Sequence, residues 1–139
     1  MGDRRHSREL ALQVLYQIEH GGSPEEALSL YADNFPAPAR LWRYVQELVR
    51  GISQHGPEID RLLGQASQRW RLERMPQVDR NILRLACYEM LFSQGQVPPK
   101  VAINEAVELA KRYGGGESPS FINAVLDSLL AASGQAAAT

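Results

Sequence analysis

Three arginines, Arg4, Arg5 and Arg8, fall within five positions near the start of the chain, and Tyr16 follows eleven residues after Arg5. In a helix each residue turns the side-chain direction by about 100°, so Arg5 and Tyr16 point almost the same way, with Arg8 and Leu12 on the flank. Guanidiniums at the head of a helix face, with an aromatic ring roughly three turns further on, make a mixed surface of the kind that binds single-stranded RNA. Arginine pairs with phosphate, and the ring stacks on an unpaired base. The same spacing fits a solvated arginine cluster with Tyr16 resting against a neighbouring helix, and at this point both readings stay open.

A second set of polar residues lies late in the chain. Lys100 and Lys111 stand near the two ends of an amphipathic stretch that begins at Val97, and Asn104 and Glu105 interrupt its apolar positions. Both suit surface or inter-helix hydrogen bonding. Glu117 and Ser118 stand where a final helix begins, and free backbone N–H groups there accept either a capping side chain or a phosphate. Phe121, one turn further, suits a core position or a stacking platform. For catalysis the pattern is poor. His6, His20 and His55 are dispersed without metal-ligand spacing, and Cys87 has no histidine near it in sequence. Asp79, Glu89, Glu105 and Glu108 are carboxylates of the sort that helical surfaces carry in number. Gly114-Gly115-Gly116 lacks the Lys-Ser/Thr and the preceding strand of a phosphate-binding loop. Neither an enzyme nor a bound cofactor or metal is expected.

Composition sets the frame for these residues. The chain has 139 residues, 44% of them hydrophobic, enough for one domain or two small helical lobes and too apolar for a disordered protein. No apolar run approaches bilayer-spanning length, and the first residues lack the apolar stretch of a secretory signal. A single cysteine favours a reducing cytoplasm. The net charge of −1 does not announce a nucleic-acid binder, so the local arginine cluster matters more than the total.

The elements that must position the polar residues are all helical, about seven in number. The first is expected from about Asp3 to His20, with Ala11, Val14, Leu15 and Ile18 as its apolar stripe. Neither Arg5 nor Arg8 belongs to that stripe, so both are expected to be dispensable for folding. Gly21-Gly22 stops it. Ser23-Pro24-Glu25-Glu26 supplies an N-cap, a proline at the first helical position and a capping-box glutamate for a helix to about Asp33. After Pro36 and Pro38, Leu41, Val45, Leu48, Val49 and Ile52 form one face of a third helix. Beyond Gly56-Pro57, Ile59, Leu62, Leu63 and Ala66 mark a fourth. A fifth after Pro76 buries Val78, Ile82, Leu85, Ala86 and Phe92. A sixth, roughly Val101 to Tyr113, ends at three glycines that readily take positive φ. Ser118-Pro119 caps the seventh, which carries Phe121, Ile122, Val125, Leu126 and Leu129. No segment alternates as a strand does.

Four blocks in this sequence resemble the NusB family: Arg4–Glu9 with Ala11–Tyr16, Val78–Glu89, Val97–Gly114 and Ser118–Asp127. The resemblance spans nearly the whole chain, in the family's order. It implies two small packed bundles, about 1–55 and 56–132, with a flexible tail over 133–139. It further implies binding of boxA-type RNA in ribosomal RNA leader transcripts, together with a small-subunit ribosomal protein, NusE, inside an RNA polymerase antitermination complex. On matching positions the RNA surface becomes Arg4, Arg5, Arg8 and Tyr16, helped by Lys100, Lys111, Glu117, Ser118 and Phe121, while Asp79 faces the protein partner. Ser7 replaces the family's usual alanine, a change expected to matter little. Ala124 stands for glycine, Ser120 for a residue that is often basic, and Glu117 for aspartate. Two other readings are a helical protein-interaction module, including a homodimer, and the RNA-binding portion of a ribosomal RNA methyltransferase, which requires a catalytic domain downstream.

Overall fold

The computed structural model describes residues 2–68 and 70–134, and among them it is all-helical. Seven α-helices follow one another: α1 (Gly2–Glu19), α2 (Pro24–Asn34), α3 (Ala39–Gln54), α4 (Gly56–Ser67), α5 (Gln77–Leu91), α6 (Pro99–Tyr113) and α7 (Ser118–Ser133), with a short 3-10 turn at Leu72–Arg74 before α5. They form two compact units, Met1–Gln54 and His55–Thr139. The tail expected over 133–139 lies, from residue 135 on, outside the described residues.

In the first unit α1 packs on α3, and α2 lies against both. Leu10, Ala11, Val14 and Leu15 of α1 meet a core that includes Leu41, Val45, Leu48, Val49 and Ile52 of α3. Those α3 positions recur every three or four residues, so one stripe of the helix leaves water and the rest stays solvated. The break before α2 is made by Gly21 and Gly22, at φ +121° and +107°, a region that L side chains rarely adopt. The predicted capping box is present: Ser23 Oγ accepts from the Glu26 N–H at 3.1 Å, and Glu26 Oε1 accepts from the Ser23 N–H at 3.3 Å. Ser7 does more than its substitution for alanine suggested. It is buried, and its hydroxyl donates to the Leu41 carbonyl at 2.9 Å, joining α1 to the first turn of α3.

The second unit is built around α5. From Asn81 to Met90 every residue except Arg84 is buried, and α4, α6 and α7 all pack against this helix. Arg84 reaches out to Asp60 of α4 through two parallel hydrogen bonds of 2.9 and 3.0 Å. Cys87 is fully buried in the same helix. Its burial, reinforced by the Asp60 and Glu58 carboxylates, pushes the thiol pKa up to about 12.

Three local expectations need correction. Phe92 is the C-cap of α5, half-buried and stacked on the His55 ring at 4.6 Å, instead of a residue on the buried side. Ser118 is the first residue of α7 and not its cap. Glu117 holds the cap position without a side-chain bond, because the Ser118 side chain is turned into the unit. Finally, the end of α6 does not use positive φ. Gly114 sits at φ −94°, and glycine is needed there for space: a Cβ would lie 2.6 Å from Ser118 Cβ and 2.9 Å from the Ala110 carbonyl oxygen.

Gly114→Ala is therefore expected to force the α6–α7 corner apart and lower stability by about 1–3 kcal/mol, the usual range for overpacking. Gly116→Ala meets nothing within 4 Å and serves as the control. Urea unfolding of both variants checks this, and an equal midpoint for the two would remove the steric explanation.

Candidate nucleic-acid interface

Helix α1 presents part of the expected cluster and hides another part. Arg4 and Arg5 are exposed. The Arg4 guanidinium lies over the Tyr44 ring of α3, 4.5 Å from its centroid, a cation–π contact that holds the side chain near the α1–α3 seam. Tyr16 is 48% exposed, so its ring remains available while its other side leans on His20, with ring centroids 4.3 Å apart. Arg8 is different. It is buried at 4% exposure, because it stands three and seven residues before the buried Ala11 and Leu15 and shares their face. The expectation that Arg8 is dispensable for folding is corrected accordingly. At the head of the same helix an exposed ion pair joins Asp3 to Arg40. The Arg40 hydrogen bond holds the Asp3 carboxyl below its usual range. Such a surface pair contributes little to stability.

The late-chain residues belong to the second unit. Lys100 is exposed in the first turn of α6, and Lys111 is exposed in its last turn, bonded to Glu108 at 3.1 Å. Lys111 there also complements the negative end of the helix dipole. Glu117, Ser118 and Phe121 come together with Asp79 around one cavity of about 330 Å³, whose walls also include Trp70, Arg74, Met75 and Pro76. Phe121 is half-buried and meets Trp70 edge to face, with centroids 6.2 Å apart and planes at 82°. Ser118 is buried. Its hydroxyl donates to Asp79 Oδ1 at 2.8 Å and accepts from the Gly115 N–H at 3.0 Å. Asp79 itself is only 5% exposed, so a partner approaching this side meets the cavity above the carboxylate more than the carboxylate.

Trp70 and Arg74 were not singled out from the sequence. Trp70 is 56% exposed, and its carbonyl accepts from the Ser67 hydroxyl at 2.8 Å, which fixes the chain just beyond α4. A signal did exist in Arg69-Trp70-Arg71, an aromatic residue between two arginines in a stretch without helical periodicity. Among the described residues no group of His, Cys, Asp and Glu side chains has an arrangement suited to a metal ion.

A model of the NusB family matches residues 5–131. The chain belongs to the NusB family. A curated NusB relative, the transcription antitermination protein of Desulfatibacillum aliphaticivorans, is 48% identical over 130 residues, covering 93% of this chain and 90% of the relative. A solved structure of T. maritima NusB is 35% identical, with a TM-score of 0.81, covering 91% of this chain and 89% of that one. A chain from a crystal structure of antitermination factors NusB and NusE in complex with double-stranded RNA gives a TM-score of 0.84 at 27% identity, covering 95% and 98%. The NusB assignment thus rests on sequence and on fold, over almost the full length in each case.

Within the second unit the Asp79–Ser118 contact yields a direct expectation. Ser118→Ala leaves a buried carboxylate without its hydroxyl donor, which lowers stability by about 1–3 kcal/mol. Denaturant titration of the variant measures this. A midpoint equal to that of the unmodified chain would show that the bond is replaced by solvent at no loss.

Proposed function

We propose that this chain is a bacterial transcription antitermination factor that acts in the cytoplasm without catalysing a reaction. It binds boxA-type RNA of ribosomal RNA leader transcripts and works with the small-subunit ribosomal protein NusE in an RNA polymerase complex. The observation that carries this reading is the exposed face of α1, where Arg4 and Arg5 precede a half-exposed Tyr16 on one helix. Guanidiniums supply phosphate contacts and the ring supplies a sequence-tolerant stacking surface. Relatives named as transcription antitermination proteins, and the NusB–NusE complex with RNA, support the choice of RNA and NusE as partners. Lys100 and Lys111 are further phosphate contacts on this reading, and Arg8 acts by anchoring α1 more than by touching RNA.

The test compares variants of the full chain on boxA-like RNA over a range of salt. Arg4→Ala with Arg5→Ala weakens binding across sequences, each lost phosphate contact lowering the salt slope by roughly 0.7 for a single strand. Tyr16→Phe binds nearly as well as the unmodified chain. Tyr16→Ala loses about 1–3 kcal/mol of binding with little change in salt slope, because a stacking surface is lost and no phosphate contact is. An unaltered slope in the double arginine variant removes the phosphate assignment, and a Phe variant as poor as Ala replaces stacking by a hydroxyl hydrogen bond.

A further inference from the structure

Tyr16, the ring on which the proposed RNA interface depends, does not stand alone at the end of α1. His20 follows it by four residues, about one helical turn, and the two rings lie 4.3 Å apart between centroids with planes at 31°. Both residues are exposed, so neither ring is held there by a core. Backbone groups hold the imidazole instead. The His20 N–H tightens the last turn by donating to the Gln17 carbonyl at 3.0 Å, which leaves the Tyr16 carbonyl for a side chain. The His20 ring takes it. Its Nδ1 lies 3.0 Å from the Tyr16 oxygen, and a carbonyl only accepts, so Nδ1 carries the proton and donates. Gly21 and Gly22, at φ +121° and +107°, then lead the chain off the helix directly after His20.

A stacked pair covers one face of each ring. His20 stands one turn nearer the C-terminus than Tyr16, so the tyrosine face it covers is the one turned toward the end of α1. The open face looks back along the helix, in the direction of Arg4 and Arg5. The geometry points to His20 as a positioning residue for RNA: its ring closes one face of Tyr16 and turns the other toward the arginines, so that a single base stacks there. The inference rests on the reading of Tyr16 as a stacking surface. An exposed tyrosine held in one orientation beforehand loses less freedom when the base arrives, which favours the complex.

Titration of boxA-like RNA into the full chain and its variants, over a range of salt, tests it. His20→Ala is expected to weaken binding about three- to tenfold, the effect of freeing one exposed ring, with an unaltered salt slope. His20→Phe loses the bond to the Tyr16 carbonyl just as the alanine variant does, but it keeps a ring. It is expected to bind within about twofold of the unmodified chain. In a Tyr16→Ala background, His20→Ala is expected to bring no further loss, a coupling that general damage to the helix end does not produce. Unchanged affinity in His20→Ala overturns the inference. So does a Phe variant as weak as Ala, which would assign the effect to the hydrogen bond. A salt slope lower by roughly 0.7 in His20→Ala would make the imidazole a phosphate contact and overturn it too, as would a full further loss in the Tyr16→Ala background. Each of these leaves Tyr16 in place as a stacking surface. If Tyr16→Ala binds as the unmodified chain does, or the unmodified chain binds no boxA-like RNA, the stacking reading and the inference fall together.

Discussion

The burial of α5 constrains the second unit more than any other feature. A helix that is apolar around most of its circumference must be covered on several sides, and α4, α6 and α7 supply the cover. Once α5 is enclosed, its few polar groups have to find partners on the covering helices. Arg84 finds Asp60 on α4, and Asp79, in the first turn, finds Ser118 at the start of α7. The second of these contacts draws α7 so close to the end of α6 that residue 114 has no room for a Cβ. The cavity walled by Trp70 and Phe121 lies beside that corner, so its shape follows from the same packing.

Much of the helical frame was legible because it is encoded locally. The capping box at Ser23–Glu26, the stop at Gly21-Gly22 and the apolar stripe of α3 each depend on residues within a few positions of one another. What the sequence concealed depends on distant partners. Ser7 reads as a neutral replacement until Leu41, 34 residues away, offers its carbonyl. Ser118 reads as a helix cap until Asp79, 39 residues earlier, takes its hydroxyl. Arg8 was misread for a related reason. Periodicity arguments follow apolar side chains, and a buried arginine on the same face is invisible to them.

The candidate site was legible unevenly for the same reason. Helical geometry aligned Arg5 with Tyr16 on α1, and their exposure is seen only in the structure. The resemblance to NusB added Lys100, Lys111, Glu117, Ser118, Phe121 and Asp79, but a family pattern does not tell an exposed contact from a buried support. The structure separates them: the lysines and Glu117 are exposed, Phe121 is half-buried, and Ser118 and Asp79 are bonded to each other below the surface. Trp70 stands in a segment without periodicity and joins the site by lining the cavity and meeting Phe121. A net charge of −1 is compatible with RNA binding because the relevant charge is local, with guanidiniums on one end of α1.

The function proposed for the exposed face of α1 is RNA binding in concert with NusE. Its most direct test is a titration of boxA-like and scrambled RNA into the unmodified full chain, with and without NusE, at several salt concentrations. Salt-dependent binding that favours the boxA-like RNA and tightens when NusE is present is expected. Equal, NusE-independent affinity for both RNAs, or no binding at low salt, would contradict it.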